Sequence, residues 1–189
     1  MLPAIISATA VLCLMGACGG TPEASARLPQ DRQDIAGTVE VGTTLPVPEN
    51  RVILTLTGVD RPNVGNDLEL DLATLQLMPS VQATVYEPFL RRDIRFGGVL
   101  LSELLSYAGV DPTSSMEVTG LDDHLIHFNL GQLDEHQVLV ATDIDGRPLQ
   151  IADGGPSRFI FLDPASGAGS NTDNWIWSLT DMTFETTNA

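Results

Sequence analysis

Residues 141–164, ATDIDGRPLQIADGGPSRFIFLDP, decide the fold. They read as a strand, a tight Asp145-Gly146 turn, a second extended segment, a kink at Gly154-Gly155-Pro156 and a buried strand. Asp-Gly between apolar runs signals a hairpin, because both residues take positive φ at low cost. Phe159, Ile160, Phe161 and Leu162 follow without alternation, the pattern of a strand covered on both faces. Arg158 is the only cation at that join. An arginine between a glycine-rich kink and a buried strand is placed to meet a phosphate or a carboxylate.

Upstream of that stretch, Met116–Gly120 and Leu125–Leu130 are expected as strands around an Asp122-Asp123 turn, and Val138–Ile144 as another strand. Val99–Ala108 puts Leu100, Leu101, Leu104, Leu105 and Ala108 on one helical face, with Gly109 as its cap. This is the one clear helix. Before it, Val81–Glu87 reads as a strand and EPFLRRDIRFGG as a loop carrying Arg91, Arg92 and Arg95, the only dense basic patch. Residues 52–59 alternate as a strand, and Asp67–Met78 reads as a strand turning into a short helix that Pro79 stops. Downstream, 164–174 reads as a flexible loop. Trp175, Trp177 and Leu179 then share one strand face, and the change of parity at Met182 and Phe184 implies a bulge or a turn between them.

The chain has 189 residues, enough for one domain of ordinary size plus a tail. Residues 1–18, MLPAIISATAVLCLMGAC, carry no charge and resemble a secretory leader of lipoprotein type, with Gly16-Ala17 before a lipidated Cys18. Residues 19–50 are rich in Gly, Pro, Thr and acidic residues and are expected to be a tether, with Val39 and Val41 beginning to dock. The domain proper is expected at 51–186. Both cysteines, Cys13 and Cys18, fall in the leader, so the domain has no disulfide, thiolate nucleophile or cysteine metal site. Net charge is −16, and all nine basic residues are arginine. Such a surface repels nucleic acid and anionic head groups, so membrane contact is expected only through the lipid anchor.

Several motifs invite chemistry and are better read plainly. Asp122, Asp123, His124 and His127 suggest a metal, but His124 and His127 would face opposite sides of a strand. Asp143-Ile144-Asp145-Gly146 begins like a calcium loop without its later ligands, and is expected as a turn. Ser102 and Ser106 lack the glycine elbow of a serine hydrolase. The arginines stand out: Arg91, Arg92, Arg95 and Arg158 in so acidic a chain suggest a local anion site.

The order of these segments resembles the molybdopterin-binding domain of the sulfite oxidase-type oxidoreductases, in its small bacterial form. The resemblance rests on Phe96-Gly97-Gly98-Val99 running into 100–105, on Asp122-Asp123-His124, and on Asp145-Gly146-Arg147-Pro148-Leu149. Gly154-Gly155-Pro156-Ser157-Arg158 and the closing 175–184 segment complete it. It implies an α+β fold: a single β-rich domain with mixed or antiparallel strands and one clear helix. It also implies molybdopterin as candidate cofactor, with Arg158 holding the pterin or its phosphate. Gly155, Asp122, His124, Arg91, Arg92 and Arg95 complete the expected pterin-like or small-anion site.

The sequence departs from the family at its chemistry. A histidine commonly precedes the glycine of the Gly-x-Pro-x-Arg signature, and here Asp153 stands there; a lysine commonly precedes the last tryptophan, and here it is Asn174. The molybdenum-ligating cysteine has no counterpart around Thr84–Pro88. The leading expectation is therefore an exported binding or accessory module, on the periplasmic or outer-envelope face, that lacks the molybdenum thiolate. The alternatives are a molybdenum-cofactor-dependent oxidoreductase without a cysteine ligand, and a purely structural envelope domain.

Overall fold

Inward-facing residues at every second position build two packed sheets. The computed structural model describes residues 28–165 and 167–186. The first sheet runs β1 (Gln33–Ile35), β4 (Ser80–Glu87), β5 (Arg92–Leu100), β8 (Val138–Ile144) and β10 (Arg158–Phe161), with β9 (Arg147–Pro148) attached to β8. The second runs β3 (Asp67–Leu70), β2 (Leu54–Thr57), β11 (Leu179–Glu185), β6 (Ser115–Gly120) and β7 (Leu125–Asn129). All pairings are antiparallel except β11 with β2. The architecture is the expected mixed, β-rich α+β fold.

The 141–164 stretch behaves as read. Asp145 (φ 53°) and Gly146 (φ 75°) both take left-handed conformations, which turns β8 back onto β9. All four residues of β10 are buried, and β10 pairs with β8 from Arg158↔Ala141 to Phe161↔Val138. A bridge between Phe159 and Ile176 links this sheet to the run entering β11. The bulge expected there lies between Leu179 and Asp181.

The helices are α1 (Leu72–Leu75), capped by Asp71, and α2 (Leu101–Ala108). Helix α2 starts two residues later than expected, because Val99 and Leu100 still pair with Val140 and Leu139. The 87–98 stretch is a correction too. It is the β4–β5 hairpin, in which Arg92 and Arg95 pair with Glu87 and Thr84, rather than a loop. Residues 164–174, expected as a loop, include 3₁₀ turns at Gly167–Ser170 and Thr172–Asn174.

The described part of the 19–50 stretch is docked and not a free tether. Strand β1 extends the first sheet through β4, Leu45 is buried, and the Tyr107 hydroxyl donates to the Val39 carbonyl. The reason is a polar clasp that apolar periodicity does not reveal. Asp31 accepts from the Thr84 hydroxyl at 2.6 Å and backbone at 3.1 Å, and Arg95 reaches Asp31 and Gln33. The expectations for residues 1–18, including Cys18, lie outside the described residues.

Candidate functional site

Strand β4 carries Val81, Ala83, Val85 and Glu87 inward, so its last inward position is an acid. Glu87 is fully buried, as is Arg158 at the start of β10. Arg158 Nη2 donates to Glu87 Oε1 at 2.6 Å, and Glu87 Oε2 accepts from the Leu90 backbone N–H at 2.5 Å. The guanidinium lies 4.3 Å from the Trp177 ring centre and 5.2 Å from that of Phe96. Burial pushes its pKa down, and the bond to Glu87 acts against that. Arg158 Nε and Nη1 have no hydrogen-bond partner among the described residues.

Trp177 is the roof of this pair and a wall of the cleft above it. Its ring meets that of Phe89 edge-on at 6.0 Å. The cleft, of about 430 Å³, is also lined by Asp122, His124, Thr172, Asp173 and Trp175. His124 Nε2 lies 3.1 Å from the Asp173 carbonyl, which can only accept, so this nitrogen carries the proton. Trp175 Nε1 donates to the Gly169 carbonyl at 3.0 Å, which sets its ring as a fixed wall. Among the described residues lining the cleft, the titratable side chains are the imidazole of His124 and the carboxyls of Asp122 and Asp173.

The family model for the oxidoreductase molybdopterin-binding domain matches residues 90–188. The chain belongs to this family. Among solved structures, the sulfane dehydrogenase SoxCD from Paracoccus pantotrophus is similar at 18% identity with a TM-score of 0.52. The match covers 71% of this chain and 38% of that one, so this chain spans well under half of its length. No curated protein matches.

The family implies a molybdopterin cofactor, which is anionic, so the donor set can be tested against it. The fit is poor at the positions of the family's thiolate, histidine and lysine, while Arg158 keeps Nε and Nη1 without a partner among the described residues. Where the family's thiolate is expected, the chain ends β4 with Glu87, whose carboxylate is spent on Arg158. Asp153, in place of the family's histidine, forms a two-pronged pair with Arg147 at 2.6 and 3.1 Å, which holds its carboxyl below the usual range. Asn174, in place of the lysine, donates to the Ala168 carbonyl at 2.8 Å. The cleft presents Asp122 and Asp173 to a ligand that carries negative charge itself. Arg158 is fully buried, with its Nη2 bound to Glu87 and the Trp177 ring 4.3 Å from its guanidinium carbon.

The residues expected at the site are thus divided by the fold. Asp122 and His124 meet at the cleft. Arg158 lies beneath it as half of a buried ion pair, so of the phosphate or carboxylate expected to meet it the structure shows a carboxylate, that of Glu87. Gly155 is packed against Leu149, where a Cβ would come within 2.8 Å of the Leu149 backbone. Arg91 and Arg92 are exposed at the hairpin tip, and Arg95 points to Asp31, so these arginines do not form one anion site. His127 faces Glu117 at 3.6 Å, away from His124's partner. Among the described residues, no group of three or more His, Cys, Asp or Glu could hold a metal ion. Glu87 was missed from sequence. Its signal was there: an acid on the inward parity of an otherwise apolar strand face.

Proposed function

We propose that this chain is a small-ligand binding or accessory module that keeps the molybdopterin-binding fold of its family without working as a molybdenum oxidoreductase. The observation that carries this reading is the buried Glu87–Arg158 pair at 2.6 Å. It pairs the arginine that would hold an anionic cofactor with a carboxylate, and no cysteine stands around Thr84–Pro88 to supply a thiolate. In this reading the protein is exported and held at the envelope by lipid on Cys18, with the acidic domain turned away from nucleic acid and anionic lipid.

A second reading, an oxidoreductase that holds the cofactor without sulfur, draws on the orphan Nε and Nη1 donors of Arg158. Native mass spectrometry of the full chain recovered from its own envelope separates the two. The first reading expects a diacylglycerol mass on the chain, abolished by Cys18→Ala, and no bound pterin. A pterin mass on most molecules would overturn it in favour of the second.

A further inference from the structure

The cleft above the ion pair has a chemistry of its own. Its walls are aromatic, from Trp175, Trp177 and Phe89, and its polar rim carries the Asp122 and Asp173 carboxylates. Arg158, the nearest buried cation, is neutralised by Glu87 and screened by the Trp177 ring. Arg147, another nearby cation, is committed to Asp153. The surrounding molecule carries a charge of −16, which raises the local concentration of cations. Phe89 holds its ring in the cleft while half exposed, 51% accessible, an apolar surface that solvent alone does not favour. Aromatic faces beside carboxylates are the environment that desolvates and stabilises an alkylammonium group, through ring quadrupoles and opposite charge together.

We propose that this cleft binds a small organic cation of the alkylammonium class, seated against Trp177 and Phe89 and flanked by Asp122 and Asp173. The site volume of about 430 Å³ admits an ammonium head together with a short organic substituent. The proposal rests on the reading that the cleft does not hold an anionic cofactor, and it names the ligand class for that reading.

Both tryptophans of the chain line the cleft, so intrinsic fluorescence reports from it directly. The test titrates the full chain with choline chloride, with potassium chloride at matched ionic strength as reference. The neutral carbon isostere 3,3-dimethylbutan-1-ol and the anion pterin-6-carboxylate are titrated in parallel. Choline is expected to give a saturable change and to bind at least about fivefold more tightly than the neutral alcohol. Asp122→Asn/Asp173→Asn is expected to weaken choline about tenfold, and Phe89→Ala severalfold, with unchanged melting behaviour because all three side chains are exposed. No saturable signal by about 10 mM choline, equal binding of the neutral alcohol, or preference for the pterin anion would each overturn the proposal. Molybdenum content of the same preparation keeps the two ideas apart. Molybdenum-loaded protein removes the underlying reading, whereas cofactor-free protein indifferent to choline removes the cation site alone.

Discussion

At the scale of single residues, the buried pair of Glu87 and Arg158 governs the account. Two charges taken out of water lose hydration that their mutual attraction only partly returns, so such a pair contributes little net stability, yet neither half tolerates being alone. Glu87→Leu is expected to cost about 3–5 kcal/mol, and Arg158→Met a similar amount, because each leaves an uncompensated buried charge. The double variant Glu87→Leu/Arg158→Met should recover most of that loss, read as urea midpoints at constant slope. Equal, additive losses would mean that Arg158 is held by something other than Glu87.

Asp71 shows the opposite balance. Burial raises its pKa, but hydrogen bonds from Thr74 and Asn50 outweigh that and hold it at about 2. A carboxyl depressed on folding stabilises the protein above its unfolded value, about 3.9, and loses that contribution as pH falls towards 2. Asp71→Ala should therefore cost about 1 kcal/mol at pH 7 and flatten the acid limb of stability between pH 4 and 2. An unchanged acid limb in thermal melts across that range would refute the assignment. At this scale the sequence was only partly legible. Arg158 is marked by its sequence neighbours, but its partner lies 71 positions away in the chain, and pairing over such a span is set by strand order rather than by any local pattern.

Among the elements, β5 is the hinge of the design, since it joins the hairpin that holds Glu87 to helix α2. Gly98 lets it approach β8 closely: a Cβ there would lie 2.1 Å from the Val140 carbonyl oxygen, a contact that backbone must move to relieve. Gly98→Ala should cost about 1–3 kcal/mol, seen as a lower thermal midpoint, and a neutral result would mean that β5 and β8 are not so closely paired. The added strand β1 is held mainly by exposed polar contacts. Asp31→Ala is expected to lower global stability by under about 1 kcal/mol, while hydrogen exchange along the outer edge of β4 quickens. Loss of protection across the whole sheet would contradict that local role.

Elements with their own periodicity were readable: β4, β6, β8, β10 and α2 all stand close to their expected ranges. The errors fell where partners decide. The 87–98 segment looked like a loop because its charges hide the strand parity of Ile94 and Phe96. Strand β1 was invisible because all three of its residues are exposed and it exists only as an addition to β4.

For the whole molecule, family and function rest on different residues. The order of turns, glycines and buried strands identifies the fold, because those positions carry the backbone geometry that every member needs. The chemistry depends on a handful of side chains, and here those positions hold Glu87, Asp153 and Asn174, each already engaged within the protein. Among the described residues, no arginine lines the cleft to compensate an anionic cofactor in a chain of this net charge, and Arg158 beneath it is paired with Glu87. The most direct test is the molybdenum and pterin content of the full chain produced in a host competent for molybdenum cofactor, read as moles of metal and of released fluorescent pterin per mole of folded protein. Both are expected to stay far below stoichiometric. Near-stoichiometric molybdenum with pterin, retained through gel filtration, would contradict it and make this chain an oxidoreductase that anchors its metal without sulfur from the protein.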